Sequence, residues 1–358
     1  MTTSPQEKEW MIYGVNGYTG RHCAEEALNR GLRPVLAGRN EKAVSALAKK
    51  LHLPYKIFDL ESAEVVAVAL KGMSVVLNCA GPFSATAEVF LAACMQTGCH
   101  YMDVTGEISV FEYVHKMNRR WASKNVLALP GVGFDVVPSD CIAAMLKDAL
   151  PDATHLTMAF KSKSGRVSPG TAKTILEGFA QGGAIRRDGK LTKIPIVSLS
   201  RKIPYASGES LSVSIPWGDV STAFYSTGIP NIEFYTAVPG MRLLQMKMMR
   251  YFSLLIRLGL VQRLVKWWIG FSVKGPEMSE RQSDSTELYG EVVNAAGEKK
   301  ALVMSTPNGY DLTFDAAVSA VERCLSLEKV EAGAQTPSSA FGKDFVTSLK
   351  GVKIQWLA

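Results

Sequence analysis

From Trp10 to about Leu150, short apolar runs alternate with amphipathic stretches of helical period. Met11–Tyr13, Pro34–Ala37, Tyr55–Phe58, Ser74–Asn78, Tyr101–Val104 and Val126–Leu129 predict strands. Tyr18–Arg30, Glu41–Leu51, Ala63–Leu70, Thr86–Thr97 and Val110–Ser123 predict the helices between them. Regular alternation of strand and helix needs crossover connections, hence a parallel sheet with helices on both faces. The runs show no polar alternation, as strands buried on both sides require. A helix over Val136–Leu150 then leads to Pro151-Asp152, a candidate domain boundary.

Beyond that boundary the pattern changes. Leu156–Lys161 reads as a strand and Gly170–Gln181 as a helix, with Ser168 and Pro169 at its start and Lys173 beside it. Ala184–Arg187 and Lys193–Leu199 suggest a hairpin around Asp188-Gly189. Leu211–Ile215, Ile232–Ala237, Glu287–Asn294 and Lys300–Ser305 add strands, and Asp311–Leu325 a helix. Consecutive hairpins with few crossovers predict an α+β domain with a mostly antiparallel sheet. Trp217–Gly228, rich in hydroxyls and aromatics, reads either as a pocket lining or as a loop packed under the sheet.

A length of 358 residues suits two domains, and 47% hydrophobic with 20% charged residues suits a folded chain. The formal charge of +7 suits a phosphorylated cofactor, an anionic substrate or an anionic membrane surface. No Lys/Arg run interleaved with aromatics argues for nucleic acid. The six cysteines form no CxxC pair and no zinc spacing, so no metal is expected and small core residues in a reducing compartment are. Met1–Lys8 is polar without a signal-peptide core, which makes a cytoplasmic location the expectation.

The chemistry gathers at the carboxyl ends of the first six strands, where an open parallel sheet binds ligands. After the first comes Gly14-Val15-Asn16-Gly17-Tyr18-Thr19-Gly20, three glycines spaced three apart and opening a helix. Such a turn lets backbone approach a pyrophosphate at a helix N-terminus. Gly14, Asn16, Gly17, Tyr18, Thr19 and Gly20 are therefore candidate cofactor-binding residues. After the second strand, Arg39-Asn40 stands where an NAD-binding domain keeps an acid for the ribose 2′-hydroxyl. A guanidinium there favours a 2′-phosphate, hence NADP over NAD; the alternative is a solvated Arg at a helix start. Asp59 reads either as an adenine contact or as a helix cap. Cys79, Ala80, Gly81, Pro82 and Phe83 form a small-residue turn suited to the nicotinamide ribose, with Cys79 as packing rather than nucleophile. Tyr101, Asp103 and Glu107 are the candidate proton-transferring or orienting groups; the alternative is that Asp103 satisfies loop amides and Glu107 is first-turn charge. Gly131, Gly133 and Asp135 mark a tight, capped loop-to-helix junction on the same edge.

These strings in this order, with Pro169-Gly170-Thr171 and the Gly218–Gly228 stretch, resemble the saccharopine dehydrogenase-like oxidoreductases. Within that family they are most similar to the short branch that includes bacterial trans-acting enoyl reductases and the animal saccharopine dehydrogenase-like protein. The resemblance implies a Rossmann-type parallel sheet with an inserted α+β domain. A dinucleotide-binding domain over 1–150 would be completed by 336–358, with 151–335 as the substrate or dimerisation domain. Pro337–Lys350 as a helix and Val352–Trp356 as a last strand would make that return. It also implies NADP or NAD, with Arg39 near the adenosine 2′ position and the Asn78–Phe83 turn by the nicotinamide ribose.

The expected activity is reduction of an enoyl C=C or a C=N bond in a small or lipid-like substrate. The alternatives are a non-catalytic NADP-binding protein associated with membrane lipid, or a true saccharopine dehydrogenase. Met241–Val273 is strongly apolar, and its charges, Lys247, Arg250, Arg257, Arg263 and Lys266 among them, are all basic. Too few residues separate those charges for a spanning helix, which needs about 18 or more. A homodimer interface, a cover for the substrate cleft and a peripheral membrane helix all remain open, the first two ahead of the third. If Arg39 holds a 2′-phosphate, Arg39→Asp lowers NADP affinity far more than NAD affinity; an equal loss of both, measured by titration, removes that role.

Overall fold

The computed structural model describes residues 8–163, 167–238, 259–273 and 275–357. Two compact units result: Met1–Val137 with Tyr310–Gly342, and Pro138–Gly309 with Lys343–Ala358.

The first unit begins with β1 (Trp10–Tyr13), α1 (Tyr18–Asn29), β2 (Val35–Gly38), α2 (Glu41–Leu51), β3 (Tyr55–Ile57) and α3 (Ala63–Leu70). It continues with β4 (Val75–Asn78), α4 (Phe83–Thr97), β5 (His100–Asp103), α5 (Ile108–Lys116), α6 (Asn118–Ser123) and β6 (Leu127–Leu129). Every residue of β1, β2 and β4 is buried, so uninterrupted apolar runs became strands covered on both faces. The exception is β3, an edge strand whose Tyr55 and Ile57 face water. Asn40 and Ser62 cap α2 and α3 through side-chain oxygens that accept from Ala43 and Val65 amides. The helix expected over Val110–Ser123 is two helices that break at Met117.

The second unit holds α7 (Val137–Ala149), β7 (Ala153–Ser162), α8 (Pro169–Gln181), β8 (Gly183–Arg187), β9 (Lys190–Ile194), β10 (Ser200–Tyr205) and β11 (Gly208–Ser214). After these come α9 (Asp219–Thr227), β12 (Asn231–Ala237), α10 (Gly259–Ser272), α11 (Met278–Gln282), β13 (Ser285–Asn294) and β14 (Lys299–Pro307). The hairpin around Asp188-Gly189 forms, with positive φ at both turn residues, but its second strand is Lys190–Ile194 rather than the expected Lys193–Leu199. Trp217–Gly228, read as a pocket lining or loop, is largely the helix α9, with buried Val220 and Ala223 on its inner side. The 241–258 part of the basic apolar segment lies outside the described residues. None of the described helices is long and apolar enough to cross a membrane.

The chain then runs through α12 (Gly309–Ser326), β15 (Gly333–Ala334), α13 (Pro337–Phe341) and β16 (Lys353–Leu357). The first sheet is wholly parallel, in the order β15-β6-β5-β4-β1-β2-β3. The second runs β10-β11-β12-β7-β13-β14-β16 with β8 and β9 attached at β12. Its pairs are antiparallel except β12 with β7. β10 curls back to reach β13, and Arg201 spans the gap, donating to Thr157 and to Glu291 at 3.0 Å each.

One expectation is corrected. Val352–Trp356 does not rejoin the first sheet; as β16 it pairs antiparallel with β14. Its exposed Lys353, Gln355 and Trp356 suit an open edge, whereas a strand added to the first sheet would be covered on both faces. The return is made instead by β15, only two residues long, and by α12, whose Asp315 pairs with Arg30 of α1. The first unit's sequence-continuous part also ends sooner than expected, since α7 belongs to the second.

In the second unit α7 lies close on β13 because Gly290 has no side chain. A Cβ there would run into Ile142 and Leu146. Gly290→Val should therefore cost about 1–3 kcal/mol of unfolding free energy. Shortening Ile142 to Ala in the same chain should return part of it; additive losses in denaturant titrations would show the two sites are not coupled.

Candidate functional site

Strand order in the first sheet reverses between β1 and β4, which places the ligand crevice at the carboxyl ends of those strands. Gly14 leaves β1 with φ +84, and its amide donates to the Ala37 carbonyl at 2.8 Å. A Cβ on Gly14 would sit 3.0 Å from Ala80, and one on Gly20 would sit 2.5 Å from the Gly14 carbonyl oxygen. Gly17 is the N-cap of α1, with no side-chain bond at the cap and no acid in the first turn. This cradle, which Cβ atoms would fill, fits a pyrophosphate facing the amides and partial positive charge of a helix start. Asn16 and Gly17 are exposed at its rim, while Tyr18 and Thr19 are half-buried. The Tyr18 ring packs edge-on to His22 and Tyr310, at 4.8 and 5.1 Å between centroids.

Arg39 is exposed at the end of β2. Burial pushes the Tyr13 hydroxyl up, while the Arg39 charge lowers it and the Asp59 charge raises it, so both groups converge on that hydroxyl. Asn40 has its side chain engaged as the α2 cap, 3.0 Å from the Ala43 amide. Asp59 accepts from the Glu61 amide at 3.2 Å, and the helix cap is Ser62 instead.

In the loop after β4, the Cys79 amide donates to the Tyr13 carbonyl at 2.9 Å. A hydrogen bond with Cys23, followed by burial, pushes the Cys79 thiol well up, so it is held as a thiol. Ala80 is half-buried, Gly81 exposed, and the Gly81–Pro82 peptide is cis. Buried Phe83 starts α4. The Glu107 carboxylate caps that helix from the next loop, accepting from the Phe83 and Ser84 amides at 2.8 Å each.

Behind these loops lies a closed polar chain. Asn78, Tyr101, Asp103 and Thr105 are all fully buried. Asn78 donates to Thr86 at 3.0 Å and to the Tyr101 hydroxyl at 3.3 Å, and accepts from the Ala80 amide at 3.0 Å. Tyr101 donates to Asp103 Oδ2 at 2.7 Å. Asp103 Oδ1 accepts from the amides of Thr105 at 3.0 Å and Gly131 at 2.9 Å. Burial outweighs these donors and pushes the Asp103 carboxyl up to about 7. Tyr101 and Asp103, offered by the sequence as proton donors, are enclosed with their polar atoms engaged inside the chain, where they tie three loops together.

Asp135 behaves differently. It follows β6 on the same edge, and its Oδ2 lies 2.8 Å from where a Gly106 Cβ would be. The residue is half-buried, and burial pushes its carboxyl up to about 6. Among the described residues its carboxylate has no hydrogen-bond partner. Its loop is held by the Phe134 amide, which donates to Thr313 of α12 at 3.0 Å.

Residues 10–129 match the family described as the saccharopine dehydrogenase NADP binding domain. The chain is 27% identical to the saccharopine dehydrogenase-like oxidoreductase of Bos taurus over 62% of its length and 59% of that protein's. To the Homo sapiens protein of the same name it is 24% identical over 96% of this chain and 95% of that one. A trans-acting enoyl reductase of Mycobacterium ulcerans is 29% identical over 39% of this chain and 35% of its own. The apo saccharopine dehydrogenase (L-Glu forming) of Saccharomyces cerevisiae shares the fold. Its TM-score is 0.66 at 12% identity, covering 98% of this chain and 100% of that one. Residues 10–129 thus carry the saccharopine dehydrogenase NADP binding domain, and the chain is similar to saccharopine dehydrogenase-like oxidoreductases.

The matched part of the first unit is an NADP-binding domain, and the cation at the end of β2 suits that cofactor. The match with the Bos taurus protein spans less than two thirds of that relative's length, so substrate and reaction are matters for proposal. The sequence reading placed Asp135 only as a junction marker. The signal available was an acid after β6 on the ligand edge; its desolvation depends on Gly106, which no periodicity reveals.

The role of the polar chain can be read from stability. Because the Asp103 carboxyl is raised from about 4 in an unfolded chain, its contribution is full below that value and lost as pH climbs through about 7. Tyr101→Phe removes a donor to that carboxyl and should cost about 1–3 kcal/mol. It should also move the loss of stability to higher pH. Unchanged denaturation curves with turnover abolished would make Tyr101 a catalytic group instead.

Proposed function

We propose that the protein is an NADP-dependent reductase acting on an enoyl C=C bond, or a C=N bond, of a small or lipid-like substrate. The Gly14–Gly20 turn takes the pyrophosphate, Arg39 the 2′-phosphate, and the Asn78–Phe83 turn the nicotinamide ribose. NADPH, when bound, supplies the hydride such a reduction needs. The chain has to position the acceptor, exclude water and deliver a proton to the second atom of the double bond. Asp135 carries this reading: a carboxyl at the ligand edge, raised to about 6 by burial, holds a proton close to neutral pH. Asp103 and Tyr101 act behind it by fixing the loop from which Gly106 supports Asp135. Glu107 orients α4 and the turn before it.

A second reading, an NADP-binding protein without turnover, draws support from one observation. Tyr101, Asp103 and Glu107 are all engaged by other groups of the chain. NADPH oxidation against a panel of enoyl thioesters and imines separates the two: turnover supports the reductase, and tight NADPH binding with none supports the binder. For the reductase, the rate should fall as pH rises through about 6 and beyond, since the protonated Asp135 is the active form. Asp135→Asn should lower the rate about 10²–10⁴-fold and flatten that limb. A retained limb in the variant would remove Asp135 from the chemistry.

A further inference from the structure

The helix α10 presents an apolar face to water on one side and is anchored on the other. Leu264, Trp267 and Trp268 are 60%, 65% and 59% exposed. Their spacing of three and four residues puts them on one face of the helix. Ile269, on the other side, is buried, Val261 and Val265 flanking the exposed face are half-buried, and α10 packs with α8. Two neighbouring tryptophans held in water by a helix anchored along its opposite side are a costly arrangement unless something covers them.

Charge selects the occupant. Arg263 is exposed one turn from the tryptophans, and the sequence from 241 to 276 carries seven cations and no acid. The whole chain is at +7. A second copy docked isologously on this face would bring one exposed Arg263 toward another, in a chain already at +7. An anionic bilayer answers both features. Tryptophan rings settle at the headgroup boundary, and Lys and Arg pair with the anionic lipids around them. No described helix is long and apolar enough to span, so the contact would lie in the interface plane.

We propose that the Leu264–Trp267–Trp268 face of α10 docks the protein on an anionic membrane surface. This goes beyond the reductase reading and does not depend on it.

The test uses the full chain and vesicles of phosphatidylcholine alone or mixed with phosphatidylglycerol. Co-sedimentation should be strong with the mixed vesicles and weak with the neutral ones, and should fall with added salt. Trp267→Ala/Trp268→Ala should reduce partitioning about tenfold or more. Arg263→Glu should weaken binding to the mixed vesicles and leave the neutral ones unchanged. Unchanged NADPH binding in both variants reports an intact fold. Absence of vesicle binding, or binding equal in parent and tryptophan variant, overturns the proposal. So does a dimer in sedimentation velocity that the tryptophan variant dissolves without any vesicle binding by the parent; the face would then belong to a second copy.

Discussion

A single buried carboxylate holds the ligand edge of the first unit together. Asp103 stands at the end of β5 and accepts from amides on both sides, Thr105 in its own loop and Gly131 after β6. Through Tyr101 it reaches Asn78 at the end of β4, which in turn fixes the Ala80 amide. Buried polar groups are costly unless every one finds a partner, and here the satisfied chain converts that cost into a fixed spacing of three loops. The positions of the Cys79–Phe83 turn, of Gly106 and of Asp135 all follow from it.

The glycine turn supplies the complementary half. Its tight approach to Ala80 presses the first loop against the fourth, so the cradle and the polar chain support one another. The NADP-binding domain matched over residues 10–129 accounts for the cofactor, while the proteins this chain resembles are named for different reactions. What a given member reduces is therefore decided by local chemistry. The feature to watch in this chain is a desolvated acid, Asp135, beside loops whose other polar groups are already engaged.

The second unit solves a different problem. Its sheet curls so that β10 meets β13, and Arg201, Glu291 and Tyr289 form a polar link inside the curve, with Tyr289 donating to Glu291 at 3.0 Å. Burial pushes the Tyr205, Tyr235 and Tyr289 hydroxyls well up, so they serve as neutral hydrogen-bonding groups within an apolar lining.

Much of this was legible in the chain. The six strands of the first sheet, the glycine turn, the cap at Ser168 and the turn at Asp188-Gly189 all follow from local chemistry that acts within a few residues. β10 was not legible, because its Ser, Arg and Lys residues blur the alternation that marks a strand. Nor was the two-residue β15, or the attachment of β16 to the second sheet, since pairing partners far apart in sequence leave no periodic trace. Sequence by itself determined the fold class and gave the expectation of NADP, which the domain match bears out. Only tertiary structure decided which acids are enclosed and which meets the ligand edge. Burial is set by neighbours such as Gly131 and Gly106, which reach Asp103 and Asp135 from other loops.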